Sequence, residues 1–263
     1  MNDIARSWVI MCSTVAVVVA ATLGSRALQN RPAETPRGNG IAVLELYTSE
    51  GCSSCPAADD LLGLIVRQSR ADHSRIYPLE FHVDTWNQPT FSDPFSEARF
   101  RERQESYYNA KITREVFTPQ MIINGTRSEI GSDSQAVRAK IEQATREPLF
   151  SEVTLAVTRS DQELVAEATL SAIPAGGVLN VVLVERGLVH EIPKGENAGR
   201  TLHHENVVRS FVSTPLAQPK ASVKLPIPPG AILSNCSVIA YVQNAKLSVL
   251  GAAEASLPAE PHP

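Results

Sequence analysis

The chain has 263 residues, 43% of them hydrophobic and 20% charged, a composition typical of a globular protein. Its formal net charge of -4, with no basic run interleaved with aromatic residues, sets nucleic-acid binding aside. The length is sufficient for one large or two small domains, and we expect two.

The N-terminal segment, residues 1–27, has the pattern of an export signal. An apolar stretch from Trp8 to about Leu23 is shorter than a full membrane span. Small residues favour cleavage after Ala27, and an uncleaved anchor is the alternative. We therefore expect a periplasmic or secreted protein that touches the membrane only through this segment. Residues 28–40, rich in Pro, Gly, Arg and Asn, predict a flexible linker.

A strand-like apolar run at 41–47 leads into two close cysteines, Cys52 and Cys55, followed by Pro56 where a helix is predicted to begin. Two residues separate the cysteines, so their sulfurs can close into a small ring. Free amide groups at the helix N-terminus favour a thiolate at Cys52, which is typical of a thiol–disulfide active site. Half of a zinc site and a structural disulfide are the alternatives. The chain has no second close pair, which excludes a four-cysteine zinc site.

Cys236 stands alone in a strand-like run. We expect it to be a buried free thiol, and a resolving or intermolecular role is the alternative.

The segment after the cysteines predicts a strand–helix–strand unit. The helix that follows them and the partly alternating segment 75–84 are expected to form a right-handed parallel unit. The turn-rich loop 84–95 carries Trp86, which lies either at the wall of the site or in the core. A polar helix is predicted at 94–109, with Asp93 as its candidate cap.

A second informative stretch begins at Thr118 and Pro119, which precede a predicted strand. The fold can lock a cis peptide bond before a proline in this position. Asn124-Gly125 predicts a tight hairpin turn. Ser132 and Gln135 form a candidate capping box for a closing helix.

The element order over roughly 41–147 resembles the thioredoxin fold. The chain also resembles the bacterial secreted domain-of-unknown-function family 1223, on motifs that include Glu45 through Pro56, His82-Val83-Asp84, Trp86, Asp93-Pro94-Phe95-Ser96, Arg103-Gln104, Tyr107, Thr118-Pro119-Gln120 and Asn124-Gly125. This resemblance implies an α/β thioredoxin-like domain, with a central mixed sheet flanked by helices, at 41–147. It also implies a β-rich second part.

The chemistry expected of the pair is attack by Cys52 on a substrate disulfide, followed by resolution of the mixed disulfide by Cys55. The resemblance implies that Thr118 and Pro119 lie opposite the pair, where the backbone holds a substrate segment like an added strand. The candidate substrate contacts are Trp86, Phe117, Ser53 and Ser54.

Glu45 lies seven residues before Cys52, close to where thioredoxins bury a carboxylate. If it faces the pair, desolvation suits it to general-base catalysis. If it bonds to partners elsewhere, it is structural. The register is one residue off, so Leu46 is the alternative occupant of that place.

Beyond residue 147 the pattern changes to short Val-rich segments with turn signals, which predict an antiparallel β-sandwich-like domain at 148–256. The Pro-rich residues 257–263 are expected to be disordered. The segment 194–209 interrupts this pattern with charges and with His203 and His204, and we interpret it as a structural or docking loop.

A metal site at this loop would need one of these histidines to converge with His82 or His190. Adjacent histidines on a strand point to opposite faces, so only one of the two could serve. We therefore predict no metal ligands.

The sequence thus predicts an exported thiol–disulfide oxidoreductase that acts on protein thiols or disulfides with an upstream redox partner and no cofactor. One alternative is a copper metallochaperone, because soft thiolates select copper, although a third ligand is not evident. The other is a non-catalytic binding module whose disulfide is structural.

Overall fold

The computed structural model describes residues 39–160 and 163–257. The expected signal segment 1–27, nearly all of the linker and all but the first residue of the C-terminal tail lie outside these residues. Within the described ranges, no helix is both long and apolar enough to cross a membrane.

The first predicted strand–helix–strand unit is confirmed. Strand β1 (Ala42–Thr48) is buried along its whole length, as expected of a strand covered on both faces. Helix α1 (Pro56–Ala71) begins with a proline, which has no backbone amide to leave unpaired. Strand β2 (Ile76–His82) returns parallel to β1. The start of α1 therefore lies at the C-terminal edge of β1.

Helix α2 (Ala98–Asn109) begins later than predicted, and the assignment of Asp93 as its cap is wrong. Glu97 occupies the cap position. The Asp93 carboxylate instead accepts hydrogen bonds from the backbone amides of Glu50 and Phe95, at 2.8 and 2.9 Å. These bonds hold the Asp93 side chain, which is 2% exposed, inside the protein rather than at the start of α2.

The predicted hairpin is confirmed. Strands β3 (Gln120–Ile123) and β4 (Arg127–Ile130) pair through a turn in which Asn124 and Gly125 both have positive φ, 48° and 63°. Helix α3 (Ser134–Arg146) follows. Its cap is Asp133, whose side chain accepts a hydrogen bond from the Ala136 amide, so the predicted Ser132–Gln135 box is wrong by one position.

The second half of the chain consists of strands, listed here in order: β5 (Val153–Ser160), β6 (Glu163–Leu170), β7 (Val178–Glu185), β8 (Leu188–Glu191), β9 (Thr201–His204), β10 (Val207–Pro215), β11 (Lys220–Pro226), β12 (Cys236–Gln243) and β13 (Val249–Ser256). Strands β8 and β9 pair antiparallel, so part of the segment interpreted as a loop is a hairpin.

One eight-stranded sheet carries strands from both halves, in the order β13-β12-β7-β10-β2-β1-β3-β4. The halves meet where β10 pairs parallel to β2, with Val207 opposite Glu80. Strands β11, β6 and β5 form a separate three-stranded sheet. The segments 41–147 and 148–256, expected as separate domains, therefore share one continuous sheet.

Three apolar clusters hold these layers together. On one face of the large sheet, α1 and α3 pack on Leu44 and Leu46 of β1. On the other face, α2 packs on Tyr47 of β1 and Phe81 of β2. The third cluster joins the three-stranded sheet to β7 and β12. The first half is thus a sheet with helices on both faces, and its helix α1 carries the cysteines at its start.

Candidate active site

Cys52 and Cys55 form a disulfide with their Cα atoms 5.4 Å apart. Cys55 is the N-cap of α1, and its carbonyl accepts hydrogen bonds from the amides of Ala58 and Asp59 at 2.8 and 3.1 Å. The pair therefore lies at the positive end of the helix dipole, as the sequence predicted.

The sulfur of Cys52 is contacted by two hydroxyl groups. Ser54 Oγ and Thr118 Oγ1 each lie 3.4 Å from it. The indole N–H of Trp86 donates to Thr118 Oγ1 at 2.8 Å, and the Thr118 hydroxyl donates to the sulfur. The Thr118–Pro119 peptide bond is cis. The structure thus brings Trp86, Thr118 and Cys52 together in one chain of contacts.

Gly51 explains how close Trp86 approaches. A Cβ atom at position 51 would lie 2.8 Å from the Trp86 Cβ, a distance that real side chains do not adopt. The glycine therefore lets the loop after β2 pack directly on the cysteine turn, which fits the first of the two positions expected for Trp86, at the wall of the site.

The sequence did not predict what covers the disulfide. Residues 192–200, here called the cap loop, join β8 to β9 and lie against the cysteine turn. The Asn197 amide donates to the carbonyls of Glu50 and Cys52, both at 2.9 Å. The Ser53 amide donates to the Glu196 carboxylate at 3.1 Å. Cys52 and Cys55 are only 1% and 0% exposed.

Of the candidate substrate contacts, Ser53 and Ser54 are exposed between the two buried cysteines. Phe117 is half-buried, and its carbonyl accepts a hydrogen bond from Gln104 of α2 at 2.8 Å. The structure therefore ties Phe117 to α2, whereas the two serines form an exposed part of the cysteine turn.

Glu45 is bound on the α2 side of the sheet. Arg103 donates to its two carboxylate oxygens at 2.7 and 2.8 Å. Three tyrosine hydroxyls also donate to it, those of Tyr47, Tyr107 and Tyr241. These partners fit the structural interpretation of Glu45, and its role as a catalytic base stays a prediction. Leu46, the alternative, lies in the apolar cluster beneath α1.

A second cluster of polar side chains, all buried, lies on the α1 side of the sheet. His82 bonds through Nδ1 to Asp93 at 2.8 Å and through Nε2 to Glu80 at 3.1 Å. His204 of β9 bonds through Nδ1 to the same Glu80 oxygen at 2.6 Å. Its Nε2 lies 3.3 Å from Glu50, a close ion-pair distance without hydrogen-bond geometry.

Asp59 lies in the first turn of α1, one turn after Cys55, and is 3% exposed. Its Oδ1 accepts a hydrogen bond from Thr48 at 2.6 Å, whereas its Oδ2 has no hydrogen-bond partner. Burial raises the pKa of Asp59, and the charge of Glu80 raises it further.

The two buried histidines and their carboxylates shift each other's pKa. Burial lowers the pKa of His204, but Glu80 and Glu50 outweigh it and raise the pKa to about 10. Burial likewise lowers the pKa of His82, but Asp93 and Glu80 outweigh it and raise that pKa. Burial raises the pKa of Glu80, yet the two histidines outweigh it and hold that pKa low. The ionised form of Glu80 therefore stabilises the protonated forms of His82 and His204, and they stabilise it.

His203 and His204 point to opposite faces of β9, as the sequence predicted. His203 is exposed, and His204 is 1% exposed. His190 of β8 bonds to Glu50 at 2.8 Å. Sequence reasoning missed Glu80, which gives no motif signal beyond a charged residue in a mostly apolar strand.

Cys236 is a buried free thiol, as predicted. Burial and the nearby Glu185 raise its pKa to about 11. Cys236 lines a cavity of about 970 Å³, which shares no lining residue with the disulfide or the buried histidines. This cavity is therefore separate from the cysteine site.

Among solved structures, the chain is similar to Protein AGR_C_4864 from Agrobacterium tumefaciens. The identity is 23%, the match covers 87% of this chain and 98% of that chain, and the TM-score is 0.61. This likeness shows the fold alone.

Two glycosidases match weakly. A β-glucuronidase from Ruminococcus gnavus has 6% identity over 41% of this chain and 16% of that chain, with a TM-score of 0.24. A β-glucosidase from Kluyveromyces marxianus has 10% identity over 47% and 17%, with a TM-score of 0.22. At these scores the matches carry no weight. No curated protein is significantly similar to the chain.

The family model described as "Protein of unknown function (DUF1223)" matches residues 43–243, which is most of the chain. The chain belongs to this family.

Proposed function

We propose that the protein is a thiol–disulfide oxidoreductase that exchanges electrons between the Cys52–Cys55 pair and protein thiols or disulfides. The observation that supports this most directly is the disulfide at the start of α1. The hydroxyl of Thr118, the residue immediately before Pro119, donates a hydrogen bond to the Cys52 sulfur. A helix N-terminus favours the thiolate that such exchange requires.

The arrangement of 41–147 supports a thioredoxin-like fold for this part. Its elements follow the order β1-α1-β2-α2-β3-β4-α3, and its strands lie side by side as β2-β1-β3-β4. For residues 148–256, packing of the three-stranded sheet on β7 and β12 supports a sandwich-like arrangement. We therefore propose a thioredoxin-like fold for residues 41–147, which carry the cysteine site, and a sandwich-like arrangement for residues 148–256.

The chemical step balances as follows. In the reduced protein, the Cys52 thiolate attacks one sulfur of a substrate disulfide, the substrate S–S bond breaks, and its second sulfur leaves as a thiolate that takes up a proton. Cys55 then loses its proton and attacks the Cys52 sulfur. The Cys52–Cys55 disulfide forms, and the substrate leaves as a dithiol that has gained two electrons. In the reverse direction a substrate dithiol is oxidised.

Continued turnover needs a second partner, a dithiol protein that reduces the pair again or a disulfide protein that oxidises it. We propose that this occurs outside the cytosol, because the apolar segment that begins at Trp8 is expected to direct export and the pair needs a compartment where disulfides persist.

Thr118 and Trp86 are proposed to position the substrate at Cys52, since both belong to the chain of contacts that ends on its sulfur. The exposed Ser53 and Ser54 form the surface that the substrate would reach first. Access to the sulfur then requires displacement of the cap loop, because Cys52 is only 1% exposed.

That burial is also the observation that favours the second candidate, a binding module whose disulfide is structural. Disulfides that resist reduction are typically buried and shielded from other thiols. If the disulfide is structural, replacing Cys52 would lower the stability of the protein and leave its binding activity intact.

Trapping of the reaction intermediate tests the proposal. In the Cys55→Ser variant, incubation with a disulfide-bonded peptide should leave half of that peptide attached to Cys52, detected by non-reducing mass spectrometry and peptide mapping. The matched Cys52→Ser variant should form much less adduct, because the proposed mechanism assigns the attack on the substrate to Cys52, whose sulfur Thr118 and Ser54 contact. Equal labelling of both variants, or of neither, would contradict the proposal.

A further inference from the structure

A group of three buried side chains, Glu80, His82 and His204, lies apart from the disulfide chemistry. Glu80 and His82 are two residues apart on β2 and therefore point to the same face of the sheet. His204, at the end of β9, reaches them from the second half of the chain. All three side chains are 0% exposed. We call these three residues the buried centre.

The donor atoms of the buried centre converge. Glu80 Oε1 lies 2.6 Å from His204 Nδ1 and 3.1 Å from His82 Nε2. One ligand atom from each residue lies within 4.8 Å of the others. In a site with metal–ligand bonds of about 2.0–2.2 Å, ligand atoms lie roughly 3–4 Å apart, so small side-chain rotations suffice to admit an ion.

The outer nitrogens of both histidines face carboxylates. His82 Nδ1 bonds to Asp93 at 2.8 Å, and His204 Nε2 lies 3.3 Å from Glu50. Histidines that bind metal almost always direct their second ring nitrogen to a carboxylate, carbonyl or water, which fixes the ring. The His82 ring is held in this way, and the outer nitrogen of His204 faces Glu50 at ion-pair distance without a hydrogen bond.

Asp59 provides an independent indication. Its Oδ2 is buried and has no hydrogen-bond partner, and the Asp59 carboxyl interacts electrostatically with all three residues of the buried centre. An unpaired carboxylate oxygen inside a protein is unfavourable unless a cation or proton satisfies it. An ion in the buried centre would provide such a partner on the α1 side.

The excess of buried carboxyl groups also favours a bound cation. Four carboxyl groups, those of Glu50, Asp59, Glu80 and Asp93, are buried together around two buried histidines, with the partly exposed His190 on Glu50. Burying such an excess of carboxyl groups is unfavourable unless they are paired. A divalent cation would neutralise it without requiring both imidazole rings to be protonated.

We infer that Glu80, His82 and His204 bind a divalent first-row transition-metal ion, with the buried Asp59 carboxyl nearby in the first turn of α1. Two imidazoles with one carboxylate suit ions such as Zn²⁺, Fe²⁺ or Co²⁺, and the absence of sulfur from the set disfavours Cu⁺. The site uses neither Cys52 nor Cys55, so it stands whether or not the disulfide is catalytic.

Metal titration of the full-length protein tests this inference. Protein stripped with a chelator and exchanged into metal-free buffer is titrated with Zn²⁺ in a calorimeter, and one ion should bind per chain. The Co²⁺ form should show the visible absorption of nitrogen and oxygen ligands without a thiolate charge-transfer band. The melting temperature should rise with added Zn²⁺, since an ion bound only by the folded state stabilises it.

The variants are chosen as a matched pair. His204→Gln should abolish one-to-one binding, whereas His203→Gln, one residue away on the exposed face of β9, should leave it unchanged. Asp93→Asn should weaken binding about 10–100-fold, the typical effect of removing a carboxylate that orients a ligand. Circular dichroism confirms that each variant is folded, and Glu80→Gln replaces His204→Gln if the latter is not.

Three results would overturn the inference. One is failure of the wild-type protein to bind Zn²⁺ or Co²⁺, which would make the cluster a self-contained ion-pair network. Another is undiminished binding by a folded His204→Gln or Glu80→Gln variant. The third is loss of binding in the Cys52→Ser/Cys55→Ser double variant together with a thiolate band, which would move the metal to the cysteines.

Discussion

At the scale of single residues, two buried glutamates on adjacent strands belong to different clusters. Glu45 on β1 stands opposite Leu79, and Glu80 on β2 stands opposite Leu46. Residues opposite each other share a face, and successive residues alternate. Glu45 therefore faces α2 and Arg103, whereas Glu80 faces α1 and the histidines.

The Glu45→Gln substitution tests this assignment. It leaves the Arg103 guanidinium buried without its charged partner, so the free energy of unfolding should fall by about 3–5 kcal/mol. Urea denaturation measures the change. The control is Glu142→Gln, which removes half of an exposed pair with Arg146 and should alter stability by about 0–1 kcal/mol.

The contrary outcome is a Glu45→Gln protein of unchanged stability whose Cys52–Cys55 exchange has slowed. It would return Glu45 to the role of a general base.

Cys236 provides a prediction about pH. Burial raises its pKa to about 11, so the thiol stays protonated at neutral pH and should react slowly with iodoacetamide. Labelling should accelerate as the pH rises toward that value. Unfolding removes the shift, so the same residue in denaturant should react rapidly at neutral pH. Rapid labelling of the native protein, measured by mass spectrometry, would show instead that Cys236 is accessible.

The residues of the candidate site were predictable where local pattern decides them. Cys52, Cys55, Thr118 and Trp86 lie in short motifs, and the structure brings Cys52, Thr118 and Trp86 into contact. Glu80 was not predictable, because its partner His204 lies 124 residues away and only tertiary packing unites them.

At the scale of elements, most helices and strands follow from hydrophobic periodicity and turn residues, because these signals are local. The β8–β9 hairpin did not follow, since its strands are only four residues each and charged residues separate them. The cap loop gains its position from Asn197, which bonds to carbonyls 147 and 145 residues earlier in the chain. No local signal reports such a contact.

The cap loop is expected to control access to the disulfide. Asn197→Ala removes the two hydrogen bonds that the Asn197 side chain donates to the cysteine turn, at a cost of roughly 1–3 kcal/mol for the carbonyls left unpaired. The disulfide should then be reduced several-fold faster by dithiothreitol, as followed by quenching and mass spectrometry.

The control is Lys194→Ala, at an exposed position of the same loop, which should leave the rate of reduction unchanged. If Asn197→Ala reduces no faster than Lys194→Ala, the loop does not restrict access.

At the scale of the whole molecule, the joining of the two halves is the main feature that the sequence did not predict. The change of pattern after residue 147 led us to expect separate domains. In the structure β10 pairs with β2 beside Glu80, and the Asn206 side chain donates to the Pro78 carbonyl at 2.9 Å. Pairing between distant strands leaves no trace in local periodicity.

The continuous sheet predicts that both halves unfold together. In a chain without residues 1–27, Trp86 is the one tryptophan, so its fluorescence reports on the first half. Alkylation of the free Cys236 reports on the second half. The two probes should give coincident urea transitions. Transitions at clearly different urea concentrations would indicate independent domains.

The most direct test of the central claim is the reduction potential of the Cys52–Cys55 disulfide. Purified protein is equilibrated in redox buffers of graded potential, the free thiols are alkylated, and mass spectrometry gives the reduced fraction. A thiol–disulfide oxidoreductase should give a value between about -270 and -120 mV, the range of known enzymes of this kind. A value far below about -300 mV would show a structural bridge and contradict the proposed function.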